Sequence, residues 1–177
     1  MSDTTLDVIT IGRCSVDLYG EQVGGRLEDV ASFAKYVGGS PTNMAIGTAK
    51  LGLKSAVITG VGDEHMGRFV REELERHGVE TRGVKTDAER LTALVILGIR
   101  DKHTFPLIFY RENCADMALD AALIGEAFIA QCRALLITGT HLSQPGVRAA
   151  SITALAHARK HAVLRVLDID YRPVLWG

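Results

Sequence analysis

The chain has 177 residues, 47% of them apolar and 23% charged, with a net charge of −1. Those values describe one ordinary globular domain and exclude a disordered chain, and with no basic run they give no electrostatic reason to expect nucleic acid or an anionic membrane. The polar start MSDTTLD lacks the basic and apolar segments of a leader, and no apolar run is long enough to cross a bilayer, so a cytoplasmic protein is expected.

Leu6 to Gly12 (LDVITIG) is rich in β-branched residues and ends at glycine, which predicts a buried strand. Leu18 to Val23 and Val30 to Val37 are candidate strands of a second, smaller sheet. In VGGSPTNMAIGTAKLG (37–52) a glycine pair leads into a helical pattern, with Pro41 suited to a first turn and Gly52 to a stop. Ser55 to Val61 predicts a second buried strand. Gly62-Asp63 then opens a helix with Met66, Phe69, Val70 and Leu74 on one face, closed by Gly78.

LTALVILGI (91–99) and FPLIFY (105–110) flank a polar turn at 100–104 and predict a hairpin. Both of its faces are apolar, so each needs a cover: a ligand beneath a lid, or a partner subunit. Strand–helix alternation then returns. Ala134 to Thr138 predicts a strand. Pro145 to His161 predicts a helix with Val147, Ile152, Leu155 and Ala156 inward, and Val163 to Leu167 predicts another strand. Repeated β-α-β units imply a parallel sheet with helices on both faces.

The segment DIDYRPVLWG (168–177) places two aspartates and an arginine just past a strand end, where open α/β sheets bind ligands. Val174, Leu175 and Trp176 need a surface to pack on, and the chain reads as the front part of something longer. Cys14, Cys114 and Cys132 are odd in number and widely spaced, which predicts reduced buried thiols rather than a zinc site or disulfides. His157 and His161 stand four apart on a predicted helix but lack a third ligand, so no metal site is expected.

The glycine pair admits two explanations. It is a turn with an asparagine cap, or it lets a ligand approach the backbone at a helix N-terminus. Asn43, with a donor and an acceptor, suits a hydroxyl-rich sugar. The string Gly38-Gly39-Ser40-Pro41-Thr42-Asn43-Met44-Ala45, followed by Gly52 and Gly62, resembles the first signature of the PfkB carbohydrate kinases. That resemblance implies a ribokinase-like α/β fold: a parallel sheet with helices on both faces, plus a small β-sheet lid. The lid strands are expected at about 18–37 and 91–111 of an incomplete kinase domain spanning 1–177, its C-terminal part missing.

The resemblance assigns further residues. Asp17, in GRCSVDLYG, matches the family's sugar-binding aspartate, although Ser15 stands where relatives carry asparagine. Arg111, in FYRENCAD, is similar to an arginine that faces an acidic sugar, with an ion pair to Glu112 or Asp116 as the competing explanation. DIDYRP resembles an Asp-x-Asn-x-Arg-Pro segment; Arg172 is placed on substrate carboxylate or phosphate, and Asp170, in place of asparagine, on the phosphate or magnesium side. The substrate set is therefore Asp17, Gly38, Gly39, Asn43, Arg111 and Arg172.

Taken together these segments look most like the 5-dehydro-2-deoxygluconokinase branch. It implies ATP and Mg²⁺ and a sugar-acid substrate of inositol breakdown, while the two apolar faces of the hairpin leave open a homodimer through the lid sheet. The 2-keto-3-deoxygluconate kinases and fructokinases are the alternative within the family, and a non-catalytic sugar-binding or assembly module the alternative outside it. The family's catalytic Gly-Ala-Gly-Asp segment does not occur in these residues, so no catalytic residue is assigned and the chain by itself is expected to be inactive.

Overall fold

The computed structural model describes residues 5–176, with the side chain of Val174 also outside the description. The N-terminal strands are β1 (Leu6–Ile11), β2 (Ser15–Gly20), β3 (Phe33–Gly38), β4 (Ser55–Gly62) and β5 (Val84–Asp87). They are followed by β6 (Leu94–Leu97), β7 (Leu107–Tyr110), β8 (Cys132–Thr138) and β9 (Leu164–Asp168). The helices are α1 (Ser40–Lys50), α2 (His65–Arg76), α3 (Glu126–Ile129), α4 (Pro145–Lys160) and α5 (Pro173–Trp176).

Five strands form a parallel sheet in the order β5-β4-β1-β8-β9. Its central strands are buried on both faces, as their unbroken apolar runs require. Alternation along them divides the interior in two. Ile9, Ile11, Leu135 and Ile137 pack with α4 on one face. Val57 and Val61 pack with Val70 and Leu74 of α2 and Ala45 of α1 on the other. This is the expected α/β arrangement with helices on both faces.

A second sheet of four strands runs β3-β2-β6-β7. Here β2 pairs antiparallel with β3 and parallel with β6, and β6 and β7 form the expected hairpin. The strands are displaced from their expected spans: β2 begins at Ser15 rather than Leu18, β3 occupies 33–38, β6 is only the inner part of its apolar run, and β7 only the last four residues of its own. The cause is at the ends. Ser15 already pairs with Gly38, so the small sheet starts within four residues of the end of β1.

Two further expectations need correction. On α4 the buried residues are Val147, Ala150, Ser151, Ala154 and Ala158, while Ile152 is 57% exposed and Ala156 is also outward. The true stripe follows the i, i+3/i+4, i+7 spacing through small residues, which let the helix lie close to the sheet. In addition, α2 starts at His65, because the Glu64 side chain caps it by accepting from the Met66 and Gly67 amides. Strand β5 and the turns at 115–118 and 121–123 went unanticipated, since their residues show no apolar period.

Candidate functional site

The carboxyl ends of β1, β8 and β9 converge on the N-terminus of α1. Thr10 ties β1 to it by donating to the Pro41 carbonyl at 2.9 Å, and Thr59 of β4 donates to the Gly12 carbonyl at 2.7 Å. Gly39 is the N-cap, with φ +97°. A Cβ there would lie 2.3 Å from the Arg13 carbonyl oxygen. At Gly38 a Cβ would lie 1.9 Å from Asp17 Oδ1. The glycine pair thus makes room first for the protein's own groups: its missing side chains let β2 and α1 meet, and they seat the Asp17 carboxylate.

Asp17 and Asn43 line one groove of about 910 Å³, together with Tyr19, Tyr36 and Ile46. Ser15 Oγ donates to Asp17 Oδ1 at 2.8 Å. Burial pushes the Asp17 carboxyl upward, against the opposing effects of that hydrogen bond and of Arg13. Asn43 is exposed, so its amide is available to a ligand.

Arg111 does not lie on this groove. It is buried in an ion pair with Asp116, itself fully buried, with Nε and Nη2 each 2.8 Å from Oδ2. Of the two acidic neighbours considered, the partner is Asp116, and the pair is interior rather than superficial. Arg13, 9% exposed, joins the same cluster, its guanidinium 5.7 Å from the centre of the Phe109 ring. Burial pushes the Asp116 carboxyl up, partly offset by Arg111.

His141, also fully buried, completes the cluster, sharing a 2.9 Å hydrogen bond between Nδ1 and Ser151 Oγ. Burial, reinforced by Arg111, holds its imidazole at about 3 against an ordinary 6.5. Below pH 6.5 the unfolded chain takes up a proton that the folded one refuses until about pH 3. This contribution to stability is therefore complete above pH 6.5 and lost progressively as pH falls toward 3. Asp116 acts in the opposite sense, so the comparison must be with a variant. His141→Gln, which can still bond Ser151, is expected to show a shallower fall in melting temperature over that window; parallel profiles would refute the assignment.

Past β9, Asp170 and Arg172 pair with each other (Nε to Oδ1, 3.1 Å), and Thr140 Oγ1 donates to Asp170 Oδ2 at 3.3 Å. Asp168 Oδ2 accepts from Ser40 Oγ at 3.3 Å, which brings this loop to the first residue of α1. A Cβ at Gly139 would lie 1.8 Å from the Ile169 carbonyl, so the loop rests on bare backbone. Arg172 is 61% exposed in its side chain. Trp176 is 37% exposed and lies against Tyr171, their ring centres 6.1 Å apart, rather than standing without a neighbour.

Gly60-Val61-Gly62-Asp63 has the letters Gly-x-Gly-Asp, but packing accounts for its glycines. A Cβ at Gly60 would meet the Ala115 carbonyl at 2.3 Å, and one at Gly62 the Arg90 carbonyl at 2.6 Å. His157 and His161 face the Glu126 carboxylate at 3.4 and 2.8 Å. The described residues hold no cluster of three or more groups able to cage a metal ion. Asp170 itself is engaged by Arg172 and Thr140.

Sequence reasoning missed Arg13 and His141, and it named Ser15 and Asp116 without placing them in the site. Arg13 had a usable signal: it is a charged residue set directly between a buried strand and a cysteine. His141 is identifiable only through its partners.

Residues 5–177 match the model of the "pfkB family carbohydrate kinase". The 5-dehydro-2-deoxygluconokinase of Geobacillus thermodenitrificans is 41% identical over 172 residues, covering 97% of this chain and 51% of that protein. The chain thus spans about half the length of the curated relatives it matches. A PfkB protein from Polaromonas sp. superposes with a TM-score of 0.92 at 30% identity, covering 98% of this chain and 58% of that one. An uncharacterized sugar kinase from Pyrococcus horikoshii, solved with ATP, superposes with a TM-score of 0.87 at 27% identity, covering 96% and 55%.

Proposed function

The chain belongs to the pfkB family of carbohydrate kinases, and from that premise we propose that it serves ATP-dependent phosphorylation of 5-dehydro-2-deoxy-D-gluconate at its 6-hydroxyl. The observation that carries the sugar reading is the shared groove of Asp17 and Asn43 at the mouth of α1. An ionised Asp17 accepts from sugar hydroxyls, Ser15 fixing its orientation, while the Asn43 amide donates and accepts. The four-stranded sheet is the lid, and its outer strand offers Leu107, Ile108 and Tyr110 to a second copy of the chain. Cytoplasmic location and the absence of nucleic-acid or membrane partners belong to the same proposal; among the described residues no helix is long and apolar enough to span a membrane.

ATP, which the Pyrococcus neighbour holds, is the proposed donor and Mg²⁺ its counter-ion. The nucleotide supplies the phosphoryl group, and the residues described here bind and orient the acceptor. Because Gly-Ala-Gly-Asp does not occur among the 177 residues, no ADP release is expected from this chain alone. Clear turnover would overturn that expectation. Binding is tested by calorimetric titration with 5-dehydro-2-deoxygluconate, 2-keto-3-deoxygluconate and fructose. Asp17→Ala is expected to weaken binding of the first about 10- to 100-fold, the worth of a charge-assisted hydrogen bond. Tighter binding of either other sugar would move the assignment to that branch.

A further inference from the structure

Three arginines gather at the carboxyl end of the sheet, and they are not equivalent. Arg111 gives Nε to Asp116 and holds Nη2 2.8 Å from the same oxygen without a hydrogen bond, and Arg172 gives Nε to Asp170. Arg13 makes no ion pair among the described residues. Its one hydrogen bond is from Nη1 to Ser15 Oγ at 3.4 Å, and its Nε is shut away from solvent with no acceptor. A buried guanidinium left in that state costs free energy until an acceptor arrives. The idle edge, Nε with Nη2, carries parallel N–H groups spaced to match the two oxygens of a carboxylate.

We propose that Arg13, and not Arg111, receives the acidic end of the ligand through this edge, while the Arg111–Asp116 pair supports the cluster from behind. The proposal rests on the sugar-acid reading above. Arg13 does not itself line the groove of Asp17 and Asn43; it is joined to it through Ser15. The Arg13 carbonyl is the group that abuts Gly39, so its backbone lies beneath the mouth of α1. Ser15 Oγ stands between Arg13 and Asp17, accepting from one and donating to the other at 3.4 and 2.8 Å. Asp116 and Asp170 each have an arginine of their own, whereas Arg13 has no carboxylate among the described residues and is linked to Asp17 through one hydroxyl. A hydroxy acid answers both: its hydroxyls go to Asp17 and its carboxylate to Arg13. Phe109, from β7 at the end of the small sheet, lies over the guanidinium and leaves that edge to the ligand.

The test uses the full chain, titrated with 5-dehydro-2-deoxygluconate and with its uncharged carboxamide. Wild type is expected to prefer the acid, and Arg13→Gln to weaken the acid about 10- to 100-fold while leaving the carboxamide unchanged. Loss of acid preference in Arg111→Gln but not in Arg13→Gln overturns the proposal and leaves the sugar reading standing. Equal wild-type affinity for acid and carboxamide does the same. Binding of neither compound overturns both. Should Arg13→Gln fail to fold by circular dichroism, the wild-type comparison together with Arg13→Lys decides: Lys keeps the charge without the bidentate edge and is expected to retain only part of the preference.

Discussion

Asp116→Ala is expected to destabilise the fold by about 3–5 kcal/mol, the range for removing one partner of a buried ion pair. Asp116 is fully buried, and the Arg111 side chain opposite it is 5% exposed. Without the carboxylate, Arg111 would keep its charge in an interior that also holds Arg13, with no acid matched to either. Urea denaturation followed by circular dichroism measures the change. A double variant, Asp116→Leu with Arg111→Met, separates the loss of a partner from the loss of volume. It is expected to recover much of the deficit, because replacing both members by apolar residues avoids stranding a charge. A cost below about 1 kcal/mol for Asp116→Ala would mean that water reaches the pair.

Gly39→Ala is expected to cost about 1–3 kcal/mol from backbone strain alone, since φ +97° is rarely adopted by residues with a side chain. Added to this is a collision, with the new Cβ 2.3 Å from the Arg13 carbonyl and 2.8 Å from Thr42 Oγ1. Neither obstacle is the tip of a long flexible side chain, so the strand-to-helix turn has to move. Gly52→Ala is the control: its φ is +89° but nothing lies within 4 Å of the added atom. Gly52→Ala should show strain alone. If the two variants melt together, the contact between Gly39 and Arg13 contributes nothing. If they differ, sugar binding should also fall in Gly39→Ala, because the same turn positions Gly38 against Asp17.

These two variants touch the parts of the site that differed most in legibility. Gly39 was conspicuous in the sequence as half of a glycine pair before a helix. Its reason was not, because the Arg13 carbonyl that crowds it comes from a different strand end. Asp116 was only one of two acidic neighbours available to Arg111, and nothing local distinguishes it from Glu112. The buried face of α4 was misjudged for a related reason. Its large apolar residues, Ile152 among them, attracted the assignment, while the contact with the sheet is made by Ala150, Ala154 and Ala158.

The sequence by itself determined the alternating strand–helix order, the parallel sheet and the hairpin, and it marked the mouth of α1 as the place to look. Those features arise from periods of two and 3.6 residues and from glycine and proline at chain turns, which are local properties. Only the tertiary structure decided which charge meets which: Asp116 with Arg111, Asp170 with Arg172, and Arg13 with no carboxylate among the described residues. Pairing depends on distance and burial between segments far apart in the chain, and a one-dimensional pattern carries neither.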